Sequence, residues 1–133
     1  MFDISDPSSV TEQDQYIIKG SGYSDALYNH KAIMIDPKKN LFGFLYYGIV
    51  DKKIAEQYTD YLEYPYCENI YSTFTYDKEM GFMETASYPL TEDDQYLTRG
   101  IYIGDYFYLA ANNSITSYKI GSESPIATVF FNE

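Results

Sequence analysis

His30 is the only histidine in this chain of 133 residues, so any Ser-His-Asp relay must use it. Ser24 and Asp25 stand near it in sequence. Such relays are assembled by space rather than adjacency, and Ser24 is not in a G-x-S-x-G turn. His30 and Arg99 each stand just before the first strand of a set, and both are expected to organise loops by hydrogen bonding. Cys67 is the only cysteine and has no basic neighbour to lower its pKa, so it reads as a passive, small apolar side chain. Glu92-Asp93-Asp94 lacks the alternating oxygen ligands and turn glycine of a calcium loop and reads as solvated. With 20 acidic residues, one carboxylate pair at glycosidase spacing is expected by chance and identifies nothing. No Walker motif and no G-x-G-x-x-G is present. The expectation is therefore no catalytic residue, no metal site and no cofactor.

What remains are residues suited to contact. The chain has 17 tyrosines and no tryptophan. A tyrosine offers a ring for packing and a hydroxyl for water or a partner. Tyr58, Tyr61, Tyr64, Tyr66, Tyr88 and Tyr96 fall in segments that read as exposed loop, which makes them a candidate surface for stacking on a sugar or a protein. The net charge of −11 carries no basic cluster beyond Lys38-Lys39 and Lys52-Lys53. Phosphate recognition needs such a cluster, so nucleic acid and anionic membrane surfaces are not expected partners. No segment approaches the ~18 apolar residues that cross a bilayer, and the first residues do not resemble a signal peptide.

The elements that must hold these residues read as strands. Lys31–Ile35 and Leu41–Tyr47 are apolar runs on either side of Asp36-Pro37-Lys38-Lys39-Asn40, a turn by composition. Continuous apolar character suits strands covered on both faces. Asn69–Tyr76 and Phe82–Tyr88 follow, separated by Asp77–Gly81. In the latter strand Phe82, Glu84, Ala86 and Tyr88 alternate with Met83, Thr85 and Ser87. Gly100–Ile103 and Tyr106–Ala111 flank Gly104-Asp105, the signature of a two-residue type II′ hairpin. Ile115–Ile120 and Ile126–Phe131 complete a second set. Tyr16–Lys19 reads as a further short strand and Asp25–Tyr28 as one helical turn. Asp51–Tyr66 reads as a long insertion with about two helical turns, by the spacing of Ile54, Tyr58, Tyr61 and Leu62. The fold class is all-β: two four-stranded antiparallel blades, 31–88 and 99–131, in one domain spanning 1–133. In each set the first two strands are the most apolar and the last the most mixed, as a propeller blade requires.

Four stretches carry a resemblance. They are Phe2-Asp3-Ile4-Ser5-Asp6-Pro7, the run Tyr23–Ala32 (YSDALYNHKA), Asp36–Leu41 (DPKKNL) and Arg99–Tyr108 (RGIYIGDYFY). In this order they resemble the C-terminal part of a family of bacterial secreted β-propellers, distantly related to WD repeats. The resemblance implies a propeller fold and a place outside the cytoplasm or at the cell envelope. It supplies no catalytic set. On this reading Phe2–Pro7 and Tyr16–Lys19 are remnant outer strands of a blade whose inner half lies elsewhere. Two blades do not close a ring, so the chain is expected to be a fragment or to cover its faces as a homo-oligomer. The expected function is a non-catalytic binding or scaffolding module for a protein or carbohydrate. The alternative is an exported hydrolase of glycans or peptides, with carboxylates on the blade loops.

Overall fold

The computed structural model describes residues 1–18, 23–49, 67–90 and 98–131. Strands and turns make up these residues, with two short 3-10 turns at Asp25–Leu27 and His30–Ala32. Strands β1 (Phe2–Asp3) and β2 (Thr11–Glu12) form a two-residue ribbon. The first sheet contains β3 (Met34–Asp36), β4 (Leu41–Ile49), β5 (Cys67–Asp77) and β6 (Gly81–Pro89). The second contains β7 (Arg99–Ile103), β8 (Tyr106–Ala110), β9 (Ser114–Lys119) and β10 (Pro125–Phe130). Each sheet pairs its strands antiparallel in chain order, the up-and-down arrangement of a propeller blade.

The turns follow from local chemistry. Asp36 is buried, and one carboxylate oxygen accepts from the backbone N–H of Lys38 at 3.0 Å and of Lys39 at 3.3 Å. That side chain replaces the backbone partners a tight turn leaves unmet, and Asn40 then takes φ +51°, a region asparagine tolerates. Asp77 repeats the device, accepting from Glu79 and Met80 N–H, which holds its carboxyl below the usual carboxylate range. At Gly104 φ is +61° while Asp105 stays negative, which makes the β7–β8 hairpin type II′.

The core is the seam between the sheets. Leu41, Leu45, Tyr71, Ala86 and Tyr88 of the first sheet meet Phe107 and Leu109 of the second. The Tyr88 ring lies 5.1 Å from Phe107 and 4.6 Å from Tyr118, and Tyr71 lies 5.6 Å from Phe107. Burying one such ring stabilises the fold by about 2–3 kcal/mol. Gly100 makes the approach of Tyr71 feasible. A Cβ there would stand 2.6 Å from Tyr71 Cζ and 2.8 Å from Phe107 Cε2.

The two sheets are equivalent at the level of register. Leu41 pairs with Thr75 beside the first hairpin, and Tyr106 pairs with Lys119 beside the corresponding one. From that origin, Thr73 pairs with Ala86 where Ser117 pairs with Ala127, and each sheet has its irregularity in the outermost pair beside that point. Thr73 Oγ1 donates to Ala86 O at 3.5 Å, and Ser117 Oγ donates to Ala127 O at 3.3 Å. One pair further along, Ser72 Oγ reaches Ser87 Oγ at 3.4 Å, and Thr116 Oγ1 reaches Thr128 Oγ1 at 3.0 Å. A bulge inserts one unpaired residue and reverses the facing beyond it. Its recurrence at one place marks a structural repeat with little residue identity.

Several expectations need correction. Tyr16–Ile18 form no strand, and the ribbon's second strand is Thr11–Glu12 instead. Tyr16 and Ile18 lie across the face of the first sheet, against Phe42, Phe44 and Phe74, and not along an edge where a ladder could form. The first strand starts at Met34, because Asn29 caps a 3-10 turn through His30–Ala32. Ile35 is 58% exposed, so β3 is covered on one face only. The simple alternation along β6 also fails. The irregularity between Thr73 and Phe74 puts Phe82 and Glu84 on one face, and Ala86 and Tyr88 on the other. The insertion Asp51–Tyr66 lies outside the described residues.

Candidate functional site

A cleft of about 440 Å³ opens where β4 ends and β5 begins, against the loop that leads into the first sheet. Tyr23, Asp25, Tyr46, Tyr47 and Asn69 are among its walls. The loop is fixed by a chain of polar contacts. Tyr47 N–H donates to Tyr23 O at 2.9 Å, extending the sheet by one bond. Ser24 is buried; its hydroxyl donates to Leu45 O at 2.5 Å and accepts from Ala26 N–H at 3.2 Å, capping the first 3-10 turn. Asp25 then accepts from Arg99 Nη2 at 2.7 Å and from Asn29 Nδ2 at 3.3 Å. Arg99 Nη1 donates to Thr98 O at 3.0 Å.

Arg99 therefore crosses from the second sheet to hold the entry loop of the first. Both side chains are partly exposed, so the ion pair contributes about 1 kcal/mol or less; its larger effect is positional. The same contacts weigh against a relay through Ser24: its hydroxyl is engaged with the backbone, and Asp25 with Arg99 and Asn29. His30 is exposed at the head of the second 3-10 turn, where its backbone carbonyl accepts from Ile33 N–H at 3.4 Å. Among the described residues no group of three His, Cys, Asp or Glu side chains is placed to hold a metal ion.

The expected tyrosine surface needs revision. Tyr88 is 3% exposed and belongs to the core, not to a loop. Its hydroxyl donates to Ser122 O at 3.1 Å, and burial, with Tyr118 and Glu123 nearby, pushes its pKa up to about 12. Tyr58, Tyr61, Tyr64, Tyr66 and Tyr96 lie outside the described residues. Among the described residues, the tyrosines that line the cleft are Tyr23, Tyr46 and Tyr47. Tyr23 begins the Tyr23–Ala32 motif, and Tyr46 and Tyr47 end an apolar strand.

A second concavity, about 290 Å³, lies on the first sheet's outer face, between Phe42, Phe44, Phe74 and Phe82 and the N-terminal residues Met1, Tyr16 and Ile18. Phe74 stacks at 5.4 Å on both Phe42 and Phe44, and Tyr16 meets Phe74 edge-on at 5.3 Å. One polar network crosses this face. Glu84 accepts from Ser72 Oγ at 2.6 Å and from Tyr16 Oη at 3.2 Å, and Tyr46 Oη lies 3.2 Å from Ser72 Oγ. Burial pushes both the Tyr46 and Tyr16 phenols up, and the Glu84 carboxylate adds to this. Phe82 N–H donates to Asp14 Oδ2 at 2.7 Å, and the Met1 ammonium donates to Asp14 O at 2.5 Å. Residues 1–18 thus form a strap across an aromatic face.

A family model described as a beta propeller domain matches residues 1–122. Comparisons with curated proteins and with solved structures find no match.

Proposed function

The chain belongs to the beta propeller domain family, and from that membership we propose that it is a non-catalytic recognition module acting outside the cytoplasm on a carbohydrate. A generic binding or scaffolding role follows from the family itself. The finer reading is supported by one observation, the cleft walled by Tyr23, Tyr46, Tyr47, Asp25 and Asn69. Tyr23 is 60% exposed, so its ring offers a stacking surface at little cost in side-chain entropy. A side-chain amide and a carboxylate at the same opening suit the hydroxyl groups of a sugar. Asp25 is oriented before binding by Arg99, which reduces the ordering cost that a ligand must offset. The net charge of −11 disfavours polyanions. The resemblance of four sequence stretches to secreted propellers supports a place outside the cytoplasm.

Titration of neutral and amino-substituted oligosaccharides, followed by calorimetry, tests this reading. Binding is expected to fall at least about tenfold in Tyr23→Ala, with the thermal midpoint unchanged. No binding to any such sugar, or binding indifferent to Tyr23→Ala and Asn69→Ala, would overturn it.

A further inference from the structure

The two sheets meet through one kind of contact, and the register shows that the chain carries both halves of that contact a second time. At the seam, the first sheet presents the face holding Leu41, Leu45, Tyr71 and Tyr88. The equivalent positions of the second sheet are Tyr106, Ala110, Ile115 and Val129. They lie on the face turned away from the seam, where Tyr106, Ile115 and Val129 are exposed. The second sheet meets the seam with Phe107, Leu109 and Tyr118. Their equivalents in the first sheet are Phe42, Phe44 and Phe74, which form the aromatic face beneath the strap. The open face of the second sheet therefore repeats one half of the seam, and the strapped face of the first sheet repeats the other half.

We propose that a second copy of this chain docks head to tail, the open face of its second sheet seated on the aromatic face of the first. Charge agrees with this pairing. The register places Glu84 on the aromatic face and Lys119 on the open face, so the two apolar surfaces carry opposite signs. Two like faces would bring equal charges together, which costs energy in an apolar contact. A head-to-tail contact of this kind either closes into a ring or continues.

The strap bears directly on this contact. Tyr16 and Ile18 lie on the aromatic face, and Tyr16 holds Glu84, so residues 1–18 must be displaced before a second copy docks. Ile17, Ile4 and Phe2 are exposed, so much of the strap's apolar surface lies outside the contact it makes. The strap is in effect a weak internal competitor for the face, and it sets the concentration at which copies associate. The proposal concerns sheet faces and is independent of sugar binding at the cleft.

Sedimentation velocity of the full chain over a wide concentration range tests it. The wild-type chain is expected to associate reversibly. Val129→Asp weakens association at least about tenfold, because a carboxylate would be buried against aromatic rings. Tyr16→Ala strengthens it several-fold by loosening the strap. Lys119→Glu weakens it, and adding Glu84→Lys to that variant restores it. Val129 and Lys119 are exposed in the single copy, so an unchanged thermal midpoint separates loss of association from loss of folding. A chain that stays monomeric at all concentrations, even with Tyr16→Ala, would overturn the proposal. So would association indifferent to Val129→Asp, and failure of Glu84→Lys to rescue Lys119→Glu would overturn the head-to-tail pairing.

Discussion

The first sheet is packed on one face by the second sheet and strapped on the other by residues 1–18. Among the described residues, the second sheet is packed on the seam side alone. Strand order and bulge position are shared, so these do not account for the difference. Burial follows neighbours rather than residue type. Phe107 is 1% exposed and Phe130 is 67% exposed, although both are phenylalanines of the same sheet.

The largest test of that contrast compares these two rings. Phe107→Ala is expected to cost about 3–5 kcal/mol in urea denaturation, and Phe130→Ala no more than about 0.5 kcal/mol. Equal losses would mean that Phe130, which the register places on the seam side of its sheet, is covered in solution. Next comes Gly100→Ala, where the new methyl group meets Tyr71 and Phe107; a loss of about 1–3 kcal/mol is expected. The Tyr71 hydroxyl has no hydrogen-bond partner of good geometry, and burial pushes its pKa up despite the nearby Gly100 N–H and Arg99 charge. Tyr71→Phe is therefore expected to be neutral or mildly stabilising, and to reduce the cost of Gly100→Ala. Additive losses in the double variant would contradict the close approach.

Alkaline titration probes the seam as a whole. The Tyr88 phenol is raised from its ordinary value near 10 to about 12 in the folded chain. A raised value favours the neutral phenol in the fold, so this stability is complete below pH 10. It is lost as pH rises from 10 towards 12, by about 2 kcal/mol, and Tyr71 acts in the same direction. Denaturant midpoints between pH 8 and 12 should show this slope, and Tyr88→Phe should flatten it. The smallest effect belongs to the tie between sheets at the cleft. Arg99→Ala is expected to cost about 1 kcal/mol or less overall, while hydrogen exchange quickens in the loop around Asp25. Unchanged exchange there would mean that Ser24, Asn29 and the Tyr47–Tyr23 backbone bond hold the loop without Arg99.

Sequence patterning made the sheets legible because turns have strong residue requirements. Asp36–Asn40 and Gly104-Asp105 mark their hairpins by side-chain bonding and by positive φ, both local properties. Tyr16–Ile18 has strand composition, but strand formation depends on an available edge, which is a tertiary property. Tyr88 ends the strand Phe82–Tyr88 by pattern and reads as exposed, yet β6 runs on through Pro89 at the edge of the sheet, where a missing N–H is tolerated. The cleft was only half legible. Arg99 stood out by its position at the start of β7, but its partner Asp25 lies 74 residues away, and no local pattern encodes that distance. The repeat between sheets was hidden for a related reason: it is carried by a bulge and by paired hydroxyls, not by identical residues.

The up-and-down strand order has a kinetic consequence. Every ladder in both sheets joins strands that are consecutive in the chain, so each forms as a hairpin or a simple meander without a distant segment having to arrive first. Hairpins close in about 1–10 μs, whereas assembly that depends on distant contacts is far slower. Either sheet is therefore able to zip outward from its own tight turn. The contacts that join residues distant in sequence are those of the seam, where the Tyr71 ring must enter the gap beside Gly100.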